Sequence, residues 1–169
     1  MDVYDAVHTV LAVREFQKKP VPEYAINKIV ESARLTASSM NKQPWHFVVV
    51  KNHDTLVKLG SLVSSGKYTA QADFAIVVVI DKSSPFGISD ASRAIQSMVL
   101  TAWSEGIGSN WTGWVGMIKV ASLLGVPENL DVVAVMPFGY PVHPSKKGKK
   151  QRKDLSEIAH LEQFGQMFR

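Results

Sequence analysis

The sequence predicts a layered α+β domain in which helices flank a central mixed sheet, and three observations lead there. Apolar residues recur at helical spacing in several stretches; short β-branched runs are interspersed with them without strict βαβ alternation; and no linker or internal repeat divides the 169 residues. A single domain over residues 1–169 is expected, because that length suits one hydrophobic core. With 46% apolar and 20% charged residues, the chain can bury such a core, which excludes general disorder.

The elements follow in order. Val3, Ala6, Val7, Val10 and Leu11 share one helical face, and the segment ends before Arg14. A second helix begins at Pro22, a favoured first-turn residue, with Ile26, Ile29, Val30 and Ala33 facing inward. Small and polar residues from Thr36 to Pro44 form a loop, and Trp45 to Val50 reads as a buried β-branched strand. Thr55 to Val63 forms a short helix. Ala72 to Ile80 is apolar at nearly every position, as a central strand covered on both faces should be. Ser89 or Asp90 can cap a long helix to about Ser104, with Ala94, Ile95, Met98, Val99, Ala102 and Trp103 facing the core. A helix from Lys119 to Leu124 stops at Gly125, Asp131 to Phe138 is the last strand, and Leu155 to Phe168 begins as helix but ends in residues poor in signals.

Charge and composition then narrow the function. The 19 basic residues exceed the 15 acidic ones, but six of the bases lie between Ser145 and Lys153, leaving 13 against 15 elsewhere. A uniformly basic nucleic-acid surface is therefore not expected, and segment 145–153 reads as a solvated charge run or a local anion site. The absence of cysteine excludes disulfides, thiolate ligands and a Cys nucleophile. The histidines, His8, His46, His53, His143 and His160, have no metal-ligand spacing, so no metal site is expected. Asp2 and Asp5 stand where a signal peptide carries bases, and Phe74 to Ile80 is too short to span a bilayer. A cytoplasmic protein without a membrane partner is expected.

Four clusters carry chemistry. They are Arg14; the loop Ala37-Ser38-Ser39-Met40-Asn41-Lys42-Gln43-Pro44-Trp45; the stretch Gly106-Ile107-Gly108-Ser109-Asn110-Trp111-Thr112-Gly113-Trp114; and Lys150-x-Arg152. Singly they read as a surface arginine, a turn, core tryptophans and a charge run. In this order they resemble the nitroreductase-like flavoprotein family. Ser38-Ser39-x-Asn41-x-Gln43-Pro44-Trp45 is the most specific match; Arg14-Glu15-Phe16 with Pro20-Val21-Pro22, Gly106 to Gly113, Gly139-Tyr140-Pro141 and Lys150-x-Arg152-Lys153 extend it over almost the whole chain.

The resemblance implies an intertwined homodimer with FMN at the interface. It also implies ping-pong hydride transfer from NADH or NADPH to a small planar acceptor such as a nitroaromatic, a quinone or free flavin. By the same resemblance Ser38, Ser39 and Asn41 would hydrogen-bond the flavin. Trp111 would pack beside it while the Thr112-Gly113 backbone faces N5. Arg14 would lie at the N1/O2 edge, where a cation favours negative charge, and Lys150 and Arg152 would hold the phosphate. No catalytic side chain is implied, because the cofactor carries the chemistry. Ser65 and Lys67 fall near a further flavin contact of the family.

The chain departs from the pattern where an Arg-Arg-Ser triplet is usual: it reads Val10-Leu11-Ala12. Ala37 also replaces a common Pro, and only Lys82 to Ser89 separates the central strand from the long helix, so an open pocket is expected. The missing cations leave a second reading, a flavin- or nucleotide-binding protein with little turnover. A third, polyanion binding, rests on segment 145–153 alone.

Overall fold

The computed structural model describes residues 1–64, 66–113, 115–143 and 150–168. Six α-helices are defined among them: α1 (Val3–Thr9), α2 (Glu23–Arg34), α3 (His53–Leu62), α4 (Gly87–Ser104), α5 (Met117–Leu124) and α6 (Leu155–Ile158). Four strands, β1 (Trp45–Val50), β2 (Phe74–Asp81), β3 (Gly108–Ser109) and β4 (Leu130–Gly139), form one sheet in the order β1-β2-β4-β3.

The strands pair antiparallel, and the sheet is mixed only through a parallel bridge between Ala12 and Ser109. β2 is central, and its residues Phe74 to Ile80 are buried on both faces. Its alternate side chains feed two cores: Phe74, Ile76, Val78 and Ile80 pack with α2 and α4, whereas Ala75, Val77 and Val79 pack with α3 and α5. In β4 the alternation slips. Val132 lies in the second core and Ala134 in the first, because a bulge opposite Val78 and Val79 inserts one residue.

Several boundaries differ from expectation. α1 ends at Thr9, so Val10 and Leu11 are not helical, and only Ala6 of α1 is buried while Val3, Tyr4 and Val7 face outward. β1 is an edge strand with only Trp45 and Val50 buried. α3 starts at His53, where the Asn52 side chain accepts from the Thr55 amide. α4 starts at Gly87 without a side-chain cap, so neither Ser89 nor Asp90 caps it; Asp90 lies inside the helix and is fully buried.

Candidate functional site

Residues 10–16 run beside the sheet edge. Val13 donates its amide to the Ser109 carbonyl at 2.9 Å, and Phe16 bridges to Pro141. The approach needs Gly108: a Cβ there would lie 2.4 Å from Val13 Cγ2. This strip presents Arg14 to solvent at a cleft of about 210 Å³ shared with Ala12, Trp103, Pro141 and His143. An adjoining cleft of about 260 Å³ shares Leu11 and Ala12 and adds Val10, Trp111, Met136 and Gln96. The three residues at the triplet positions thus form an apolar wall between Arg14 and Trp111.

Cationic groups lie at one end of that wall. Lys150 Nζ donates to the Val7 carbonyl at 2.7 Å, in the last turn of α1 and three residues before Val10. Partial burial, and then the Arg152 charge, hold the Lys150 ammonium below its ordinary value. Arg152 donates to the Gln151 carbonyl and is exposed. Lys146, Lys147 and Lys149 lie outside the described residues, as do Trp114 and Ser65; Lys67 opens a 3-10 turn, Lys67–Gln71.

The Thr112 hydroxyl is not turned to the cleft. Thr112 is buried, exchanges both backbone hydrogen bonds with Val135 and donates Oγ1 to the Val135 carbonyl at 2.7 Å. Gly113, half-buried, follows the exposed Trp111, whose Nε1 lies 3.6 Å from where a Gly113 Cβ would be.

Ser38, Ser39 and Asn41 lie on a different flank of α4. The loop turns sharply, with left-handed backbone at Met40 (φ 51°), Asn41 (φ 54°) and Gln43 (φ 49°). Ser38 Oγ accepts from the Gln43 amide at 2.9 Å. Ser39 donates its amide to the Asp90 carboxylate at 3.1 Å and its hydroxyl to Asp90 Oδ1 at 3.0 Å. Arg93 donates to both Asp90 and Ser39 Oγ. Asn41 itself is exposed.

One chain therefore brings together Val10–Ala12, Arg14, Trp111 and Lys150, with the Ser38–Asn41 loop elsewhere. Along α4, Ser92, Ile95, Gln96 and Val99 line the larger cleft, whereas Asp90 and Arg93 hold the loop and Ser97 accepts from Thr36. Asp90 is the functional candidate that sequence reasoning missed. The signal was its spacing: it precedes Ala94 by one helical turn and so lies on the buried stripe.

Among the described residues no group of three or more His, Asp or Glu side chains could hold a metal, and no helix is long and apolar enough to cross a membrane. A family model described as "Nitroreductase family" matches residues 11–83 and 66–140. A protein of Methanothermobacter thermautotrophicus, described as a candidate NADH dehydrogenase/NAD(P)H nitroreductase, is 34% identical over 97% of this chain and 88% of its own length. A similarly described crystal structure from Bacteroides thetaiotaomicron superposes with a TM-score of 0.89 at 30% identity, covering 96% of this chain and 98% of that one. An FMN-dependent nitroreductase from Clostridium difficile superposes with a TM-score of 0.85 at 25% identity, covering 94% and 98%.

Proposed function

This chain belongs to the nitroreductase family of oxidoreductases, and from that premise we propose that it is an FMN-dependent, NAD(P)H-oxidising reductase acting as a homodimer in the cytoplasm, where NADH and NADPH are at hand. The observation that carries the reading is the run of Val10–Ala12, Arg14 and Trp111 along two adjoining clefts, with Lys150 bonded to the Val7 carbonyl three residues before Val10. That donor set fits FMN: a cation pair for the dianionic phosphate, an apolar wall and a tryptophan for the ring, and an arginine beyond them.

When bound, FMN supplies hydride transfer from NADH or NADPH to a small planar acceptor such as a nitroaromatic, a quinone or free flavin. The chain's residues bind and orient. Lys150 and Arg152 would hold the phosphate, replacing the arginines absent at Val10 and Leu11. Arg14 would favour negative charge at the N1/O2 edge. Gly113 would offer its backbone near N5, since the Thr112 amide and carbonyl are already bonded to Val135. Trp111 would pack against the ring, while Ser38, Ser39 and Asn41 would reach it from the partner subunit.

Two features support pairing. The clefts and the loop occupy different flanks of α4, so a second copy would complete each site. Apolar side chains that a lone chain leaves exposed, including Val3, Tyr4, Phe164 and Met167, would find cover in such an interface.

The test is a visible spectrum. Purified protein mixed with FMN and desalted should retain a flavin spectrum that bleaches anaerobically on adding NADH or NADPH; protein that stays colourless overturns the reading. Retained flavin that does not bleach would favour the second reading, a flavin-binding protein with little turnover, which the Val10-Leu11-Ala12 replacement motivates.

A further inference from the structure

The Ser38–Gln43 loop is an unfavourable conformation held by an unusual anchor. Three non-glycine residues in four positions, Met40, Asn41 and Gln43, adopt left-handed backbone. L-residues avoid that region, so the loop persists only where its surroundings enforce it. Ser38 Oγ closes the turn on the Gln43 amide, and the anchor that ties the loop to α4 is Asp90. Its carboxylate is fully buried within α4, yet it accepts the Ser39 amide, the Ser39 hydroxyl and the Arg93 guanidinium, groups that satisfy both of its oxygens. A buried charge demands such partners, and here two of the three donors, the Ser39 amide and hydroxyl, belong to the loop. Arg93 supplies the countercharge while half its side chain stays exposed beside Ser39.

We propose that Asp90 is a positioning residue for cofactor binding: acting through Ser39 and balanced by Arg93, it holds the Ser38–Gln43 loop in the strained shape that presents Asn41 to the flavin. This rests on the flavin reading above. Asp90 touches no ligand itself, being enclosed. Its carboxylate suits the role because Ser39 and Arg93 bring only donors to it. An amide in its place loses the charge that answers Arg93 and sets an NH2 group against the Ser39 amide, where Oδ2 accepts at 3.2 Å.

Asp90→Asn tests this by two readouts. In FMN-free protein, hydrogen exchange of a peptide spanning residues 38–43 should accelerate while one from β2 stays protected. FMN titration should give a dissociation constant about tenfold weaker, and the visible circular dichroism of bound FMN should change with the loop's contacts. Arg93→Gln, at a half-exposed side chain, serves if Asp90→Asn does not fold, and should speed loop exchange and weaken FMN binding several-fold. Wild-type exchange and FMN affinity in the variant overturn the positioning role, and so does equal deprotection of β2 and the loop, which marks a merely structural residue. Wild-type protein that takes up no FMN overturns the flavin reading instead, and the exchange experiment then still reports whether Asp90 pins the loop.

Discussion

Lys150 Nζ and the Val7 carbonyl, 143 positions apart in the chain, are joined by a 2.7 Å hydrogen bond that links the segment opening at residue 150 to the last turn of the first helix. This contact holds an ammonium group at the last turn of α1, three residues before Val10, the position at which the resemblance implies the first cation of the triplet. Lys150→Ala and Arg152→Ala should each weaken FMN binding by about 10- to 100-fold, as loss of one charge-assisted bond to a phosphate does. Quenching of flavin fluorescence measures it. An unchanged dissociation constant in both variants would remove these residues from the phosphate site.

The reverse substitution is equally informative. Replacing Val10, Leu11 and Ala12 by Arg, Arg and Ser should tighten FMN binding about tenfold at low salt, and the added affinity should fade as salt rises. Titrations at low and high ionic strength separate this from any general gain in stability. No gain at low salt would mean that the apolar wall serves a different ligand edge.

Gly108 permits the contact on which Arg14 depends. In Gly108→Ala the new methyl meets Val13 Cγ2 and Cβ, atoms too close to the backbone to swing aside. The strip carrying Arg14 should move off β3. The expected outcome is a loss of about 1–3 kcal/mol in urea denaturation, with FMN affinity reduced further than in a destabilising core variant such as Phe74→Leu.

Lys150 also predicts a pH response. Burial first, and Arg152 second, hold its folded-state value below the ordinary 10.5. The unfolded chain therefore binds more protons than the folded one in the window beneath 10.5, and there stability rises with pH at this site. FMN affinity should move the opposite way, falling as Lys150 loses its charge at a lower pH than an exposed lysine would. Lys150→Met should flatten that alkaline limb of the binding curve; a limb that persists unchanged belongs to another group.

Sequence reasoning recovered what period and composition encode. The unbroken apolar run of β2, the inward stripes of α2 and α4 and the glycine stop after α5 all stand as expected. It failed where the outcome depends on a distant neighbour. Val3 and Val7 have the spacing of a core-facing helix, but among the described residues no partner buries them. β1 looks buried by residue type, yet it lies at the sheet edge. β3 is two residues long and exists because Gly139 and Phe138 pair with it, which no local pattern announces. The four candidate clusters stood out as a set only through the family resemblance. Their division between two flanks of one helix was not legible, and neither was the part played by Asp90, whose partner Ser39 is 51 residues away.

α4 bears cleft-lining residues along one flank and loop-holding residues along another. In a two-fold pair each cofactor would then rest on the cleft of one subunit and the loop of its mate, so lesions on the two flanks become complementary. Subunits crippled at Asp90 and subunits crippled at Lys150, unfolded and refolded together, would form mixed pairs in which one site inherits both defects and the other neither. At an FMN concentration too low to load either variant alone, the mixture would regain flavin, with one cofactor per mixed pair.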